Sequence, residues 1–288
     1  MVPFIGIASG IGAGNQGCWE GPLFLHHFLR SLDPFWVELF SLPDSPKDPY
    51  ERLGPFYQEV ARKIYETHKK RGYLLSIGGD HSCAIPTWSG VAEAIRPSGE
   101  LGLLWIDAHM DAHTPETSES GNIHGMPLAA LMGYGDPRLT GVLTTKPKLL
   151  PENLVLIGIR SYESGEAALL HRLGVRIYFM DEVRKRGLKE VLQEAVAKVS
   201  QTTAGYGVSF DLDSLDPSRC PAVGTPVAGG LDPEELLASF SCFERLAPVA
   251  FEMVEYNPSL DKRGETARLL IPFLEKAVSF APSLNLSQ

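Results

Sequence analysis

Cysteine is scarce: Cys18, Cys83, Cys220 and Cys242 are the four in 288 residues. No two of them form a C-x-x-C pair, which excludes a zinc knuckle or a thioredoxin-like redox motif. Scattered thiols of this kind suit a reducing compartment. Basic charge is also short. Lys and Arg total 26 against 35 Asp and Glu, a formal net charge of −9, so no nucleic-acid-binding face is expected. Residues 1–16 contain no Lys or Arg and so lack the basic start of a secretory signal. No apolar run approaches the ~20 residues that a membrane helix requires. Internal repeats and low-complexity tracts are missing as well. Together these absences predict a cytoplasmic protein with no nucleic-acid and no membrane partner.

What is present suits a globular α/β protein. Seven short, nearly continuous apolar runs predict strands at Phe4–Ala8, Tyr73–Ile77, Leu101–Ile106, Leu154–Ile159, Val175–Phe179, Gly207–Leu212 and Val249–Val254. Between them, amphipathic stretches predict helices at Gly21–Arg30, Tyr50–Lys70, Cys83–Arg96, Ser164–Leu173, Leu188–Ser200, Pro233–Arg245 and Thr266–Phe280. Continuous rather than alternating apolar strands imply a sheet covered on both faces. The strand–helix alternation implies that the sheet is mostly parallel, in one domain over residues 1–288. In such sheets ligands bind beyond the carboxyl ends of the strands. The residues following each strand are therefore where function is sought.

Three predicted strands end in Asp and His: Gly78-Gly79-Asp80-His81-Ser82, then Asp107-Ala108-His109-Met110-Asp111-Ala112-His113, then Asp211-Leu212-Asp213-Ser214-Leu215-Asp216-Pro217. In an extended segment, side chains at i, i+2 and i+4 share a side. Asp107, His109 and Asp111 then converge, as do Asp211 and Asp213, with His81 joining them. Four carboxylates packed together repel unless protons or cations relieve them. Six ligands dominated by oxygen, without a thiolate, suit two hard divalent ions such as Mn²⁺. Taken singly, the glycines after Ile77 also fit a turn, and the D-x-D segment fits a helix cap or one Mg²⁺ site. An EF-hand is excluded, because the D-x-D segment lacks the required Gly and distal Glu.

These blocks, in this order, resemble the signature segments of the ureohydrolases, the arginase, agmatinase and formiminoglutamase family. Ser120–Pro127, Gly224-Thr225-Pro226, Gly229-Gly230-Leu231 and Glu255-Tyr256-Asn257-Pro258 continue the match, which runs from Gly12 to about Leu270. Thr114–Asn122 and Asn257–Asp261 are most similar to the arginase branch. The resemblance implies a three-layer α/β/α fold around a mostly parallel sheet of about eight strands. It implies a centre of two Mn²⁺ per chain and a homo-oligomer, trimeric or hexameric. The implied reaction is hydrolysis of the L-arginine guanidinium to L-ornithine and urea by a metal-bridging hydroxide.

Carried over residue by residue, the resemblance makes His81, Asp107, His109, Asp111, Asp211 and Asp213 the metal ligands. His124 becomes the proton-transfer histidine, Asp111 a local proton relay and Glu255 the acid facing the guanidinium. Ser120, Asn122, Glu163 and Thr225 become substrate contacts. His113 departs from the pattern: arginases usually carry Asn there. It is kept as a substrate contact, and substrate choice stays open to other guanidino or formimino compounds, as in agmatinases, guanidinobutyrases or formiminoglutamases. A metal-binding family member without turnover is the competing reading; the complete set of ligands with His124 and Glu255 speaks against it.

Overall fold

The apolar runs fold as strands buried on both faces. In the computed structural model, which describes residues 1–29 and 35–282, eight strands form one sheet. They are β1 (Pro3–Ala8), β2 (Phe35–Ser41), β3 (Leu74–Gly78), β4 (Leu101–Ile106), β5 (Leu154–Ile159), β6 (Arg176–Phe179), β7 (Gly205–Asp211) and β8 (Ala250–Val254). Their order is β2-β1-β3-β8-β7-β4-β5-β6, and every pairing is parallel. Successive residues feed two separate cores, as the two-residue period of a strand requires. Leu104 and Ile106 pack in one core with Val155, Val208 and Phe251. Leu103 and Trp105 pack in the other with Ile5, Leu74 and Leu156. Helices Glu20–Phe28, Leu188–Ser200, Pro233–Ser239 and Glu265–Ser279 cover the first face. Helices Pro49–Arg71, Ala84–Ile95 and Pro127–Leu131 cover the second.

Local chemistry sets the element boundaries. Helix Pro49–Arg71 begins where the Asp48 carboxylate accepts from Tyr50 N at 2.9 Å, with proline in the first turn. It ends at Gly72, whose φ of +72° is the left-handed conformation glycine adopts freely. Strand β2 and helices Pro127–Leu131, Pro137–Thr140 and Met180–Arg186 lie outside the sequence expectation. Strand β2 is an edge strand, and all but Phe40 of its apolar side chains are only half-buried, although its run Phe35–Phe40 is as apolar as β8, each broken by one Glu. Helix Met180–Arg186 follows β6 without a loop, and its charged composition hides it. The single helix expected over Pro233–Arg245 is instead an α-helix to Ser239 followed by a 3₁₀ segment, Phe240–Glu244. Arg30, the expected end of the first helix, lies outside the described residues.

The topology brings β3, β8, β7 and β4 side by side at the centre of the sheet. Their carboxyl ends carry Asp80 and His81, Glu255, Asp211 and Asp213, and Asp107. Among the described residues no helix is long and apolar enough to cross a membrane.

One buried charge away from these strand ends gives a stability prediction. Lys148 is 1% exposed, and its ammonium donates to the carbonyls of Thr140 and Thr144, with no carboxylate partner among the described residues. Burial, aided by the Arg96 charge, pushes it down to about 8. A lysine whose folded pKa is depressed disfavours folding while it is charged. That penalty fades as pH rises from about 8 towards the unfolded value of 10.5. Wild type should therefore gain stability relative to Lys148→Met over this interval, on the order of 1–2 kcal/mol. Paired urea denaturation curves at pH 7 and pH 10 check it; a pH-independent difference overturns it.

Candidate metal centre and substrate cavity

The ligand candidates meet, although not through extended backbone. After β4 the chain bends at Ala108 and His109, and Asp111 takes a left-handed φ of 47°. After β7, Asp211 caps a 3₁₀ turn, its carboxylate accepting from Asp213 N at 2.8 Å. The strand alternation invoked from sequence is thus replaced by two bent turns that reach the same convergence. Gly79 makes the third turn possible, since a Cβ there would stand 1.9 Å from the Ser9 carbonyl oxygen.

Two groups of potential ligand atoms result, His81 with Asp107 and Asp211, and His109 with Asp107 and Asp213. They share Asp107. Asp111 approaches the first group, its Oδ2 standing 3.1 Å from His81 Nδ1. The same nitrogen lies 3.1 Å from Asp107 Oδ2 and 2.9 Å from Asp211 Oδ2. His109 Nδ1 lies 3.1 Å from Asp213 Oδ2. His81, Asp107, Asp211 and Asp213 are all buried.

The hydrogen bonds around His81 test whether a cation fits. Glu252 Oε2 accepts from the Ser209 hydroxyl at 2.7 Å, so Ser209 Oγ is free to accept from His81 Nε2 at 3.0 Å. That fixes the Nε2–H tautomer and turns the bare Nδ1 towards three carboxylates, where it makes no directed hydrogen bond. A lone pair facing anionic oxygens needs a proton or a metal ion between them. The residues therefore fit a divalent cation. Trp105 holds the set from below, stacking on His81 with ring centroids 3.9 Å apart and donating to Asp107 Oδ2 at 2.8 Å.

Protonation follows the crowding. Burial, then the Asp107 charge, pushes the Asp111 carboxyl up; burial, then the Asp213 and Asp107 charges, raises Asp211 as well. Burial opposes the His109 imidazolium, but the charges and hydrogen bonds of Asp213 and Asp107 outweigh it and hold it up.

A cavity of about 220 Å³ opens above this centre. Its lining includes His109, Asp111, Asp211 and Asp213 from the ligand candidates, together with His124, His113, Ser120, Asn122, Glu163 and Thr225. Glu255 lies beneath, buried at the end of β8 with a φ of 70°. A non-glycine residue held there stores backbone strain, a feature that collects at functional sites. Its Oε1 accepts from His81 N at 2.9 Å and faces His124 Nδ1 at 3.2 Å, while Oε2 has no hydrogen-bond partner among the described residues. His124 bridges this floor and the cavity. Burial opposes its charged form, but Glu255 outweighs that and holds it up at about 9.

The remaining candidates are less uniform. Thr225 donates to Asp213 Oδ2 at 3.0 Å, beside the ligand group. Ser120 Oγ accepts from Asn122 N at 3.2 Å in the loop at the cavity mouth. His113 lies in the wall, with Nε2 2.8 Å from Glu163 Oε2 and Nδ1 3.1 Å from Thr117 Oγ1. Ser118, within the Thr114–Asn122 loop, and Ser161 line the cavity too without having been named as site residues, and Glu166 escaped the sequence reading. Glu166 sits three residues after Glu163 and accepts from Glu163 N at 3.0 Å, a spacing that on its own reads as a helix cap. Ser209 and Glu252 also escaped it, because they lie inside apolar strands.

Fold and site together define a three-layer α/β protein with a candidate metal centre at the carboxyl edge of its sheet. The family model for the arginase family matches residues 2–279. An arginase of Bacillus caldovelox is 37% identical, the match covering 95% of this chain and 96% of that one. The solved structure of B. caldovelox arginase superposes with a TM-score of 0.88 at 35% identity, covering 98% and 99% of the two chains. An Entamoeba histolytica arginase solved with L-ornithine gives 0.85 at 30% identity, covering 96% and 98%. The chain belongs to the arginase family and is a hydrolase of C–N bonds in linear amidines.

Proposed function

We propose that the chain is a manganese-dependent arginase that hydrolyses L-arginine to L-ornithine and urea. The observation that carries this reading is one cavity lined by both halves of the chemistry. Ligand carboxylates and His124 stand at its base, and Ser120, Asn122 and Glu163 at its mouth. Relatives named arginase over nearly the full length support it.

In this reading His81, Asp107, His109, Asp111, Asp211 and Asp213 hold two Mn²⁺. Bound there, the ions lower the pKa of a water so that a nucleophile is available near neutral pH. The unpartnered Oε2 of Glu255 accepts from the guanidinium and orients its carbon, while Oε1 is fixed by His81 N and His124. Asp111 lines the cavity and carries a proton to the departing amine. His124 reaches both Glu255 and the cavity, and exchanges that proton with solvent. Ser120, Asn122 and Thr225 steady the substrate, and His113 and Glu163 meet its amino-acid end. The assembly is a homo-oligomer in this reading, and the enzyme is cytoplasmic.

Urea release from L-arginine, agmatine and 4-guanidinobutyrate, with formamide release from formiminoglutamate, decides the substrate when Mn²⁺ is supplied throughout. L-Arginine should give the highest kcat/KM. A higher value for any of the others overturns the assignment to arginine.

A further inference from the structure

We propose that His113 is a specificity-determining residue: it occupies Glu163 and so weakens selection for the α-ammonium of the substrate. The inference rests on the arginine reading and deepens it.

The outer half of the cavity has an unusual charge balance. Its lining carries the Glu163 and Glu166 carboxylates and neither Lys nor Arg. Arg160, the nearest guanidinium in sequence, is spent on backbone carbonyls, donating to Asp213 O and Val227 O at 2.7 Å each. Two carboxylates without a fixed cation form a natural seat for a substrate ammonium.

In this chain that seat already has an occupant. His113 Nε2 stands 2.8 Å from Glu163 Oε2 and 3.6 Å from Glu166 Oε1. The pair is a close ionic contact rather than an aligned hydrogen bond, and it sets the imidazole against the carboxylate that an ammonium would use. Nδ1 stays 3.1 Å from the Thr117 hydroxyl, which anchors that side of the ring while Nε2 faces the two carboxylates. His113 is buried, with 7% of its surface exposed, and cannot swing away into solvent. Glu166 has further duties, accepting from Glu163 N at 3.0 Å and Ala112 N at 3.2 Å. An arriving ammonium must therefore share Glu163 with His113 or displace it. A substrate of the same length without the ammonium has no such competition.

The consequence is a narrowed margin between L-arginine and 5-guanidinopentanoate, which is arginine with its ammonium replaced by hydrogen. A hydrogen bond to a charged group carries about 10-fold or more in affinity. In wild type the ratio of kcat/KM for the two compounds should fall short of that factor. His113→Asn, whose shorter side chain draws back from Glu163, should raise the ratio about 10-fold. A double-mutant cycle makes the cause explicit. Glu163→Gln should change the ratio less than about threefold beside His113, yet about 10-fold in the His113→Asn background, on the same charge-assisted scale.

Steady-state kinetics of the Mn²⁺-loaded wild type, both single variants and the double variant reads the cycle. Calorimetric binding of the two products, L-ornithine and 5-aminopentanoate, reads the same preference without turnover. If wild type releases urea from neither compound, the arginine reading fails, and His113 is judged on product binding alone. Should His113→Asn leave both the kinetic ratio and the product preference unchanged, the proposal is overturned. The same holds if Glu163→Gln lowers the ratio tenfold beside an intact His113, a result that does not depend on how the His113→Asn variant folds.

Discussion

Loading with Mn²⁺ is expected to bring two ions per chain and to raise the melting temperature, and Asp107→Ala to abolish both effects. Asp107 is common to the two ligand groups. It is fully buried and oriented by Trp105 Nε1 at 2.8 Å and His109 N at 2.7 Å, so no neighbouring acid replaces it by rotating. Ion binding to the folded state alone stabilises by about 2.7 kcal/mol at a hundredfold excess over Kd. For a chain of this size that corresponds to roughly 5–10 °C.

The pH dependence of the gain follows from the direction of the shifts. Burial and neighbouring charge raise the folded pKa of Asp111 and Asp211. An acid raised in this way favours the metal-free fold while protonated, and that advantage is lost as pH climbs from the ordinary carboxylate range through the raised value. His109 is also raised, so its contribution is present below about 6.5 and is lost as pH rises. Both make the metal-free protein weaker towards alkaline pH. The metal requires the same groups without their protons. The Mn²⁺-induced rise in melting temperature should therefore be larger at pH 8 than at pH 6. Asp107→Ala should lower kcat/KM at least about 10³-fold, the several kcal/mol that metal ions supply. Two ions found by metal analysis in that variant would falsify the shared-ligand assignment.

Much of this arrangement was legible in the sequence because the fold is built from strong, redundant signals. Seven of the eight strands are expected from their apolar runs, and each of the three acidic turns follows one of them directly. The eighth, Phe35–Ser41, is half-buried at the sheet edge, yet its run is as apolar as that of β8, so its composition does not hide it. The residues named as ligand candidates do come together, but not for the reason the sequence offered. Alternation along a strand predicted convergence, whereas the bend at Ala108 and His109 and the left-handed Asp111 produce it. Backbone sign is invisible in a side-chain pattern, and the same holds for the positive φ of Glu255. Ser209 and Glu252 were hidden for another cause. Their polarity makes sense only once three strands stand side by side and the hydrogen bond from His81 can be traced through them. His113 shows the limit most clearly. Sequence set it apart but gave no direction for the ring, and the direction decides whether it meets a substrate carboxylate or takes up Glu163.

His124→Ala should lower kcat by about 10²–10⁴-fold, the usual worth of a positioned acid–base group, while leaving metal content unchanged. His124 is half-buried, lines the cavity, and leans on Glu255 Oε1 at 3.2 Å. It belongs to neither group of potential ligand atoms, so its loss need not release an ion. A small imidazole added to the variant should restore part of the rate, because the truncated side chain leaves room beside Glu255. The Glu255 carboxylate is what holds the His124 imidazolium up at about 9 against burial. If delivery of a proton by that imidazolium limits turnover, kcat falls on the alkaline side as pH passes the His124 pKa. Glu255→Gln removes the largest of the charges that sustain it, leaving Asp111 and Asp80 against burial, and the value falls. The alkaline fall in kcat should move to lower pH in Glu255→Gln and disappear in His124→Ala. A structural role for His124 predicts a uniform loss at every pH and no response to imidazole. The shape of the two profiles, rather than their height, therefore separates a proton carrier from a packing residue.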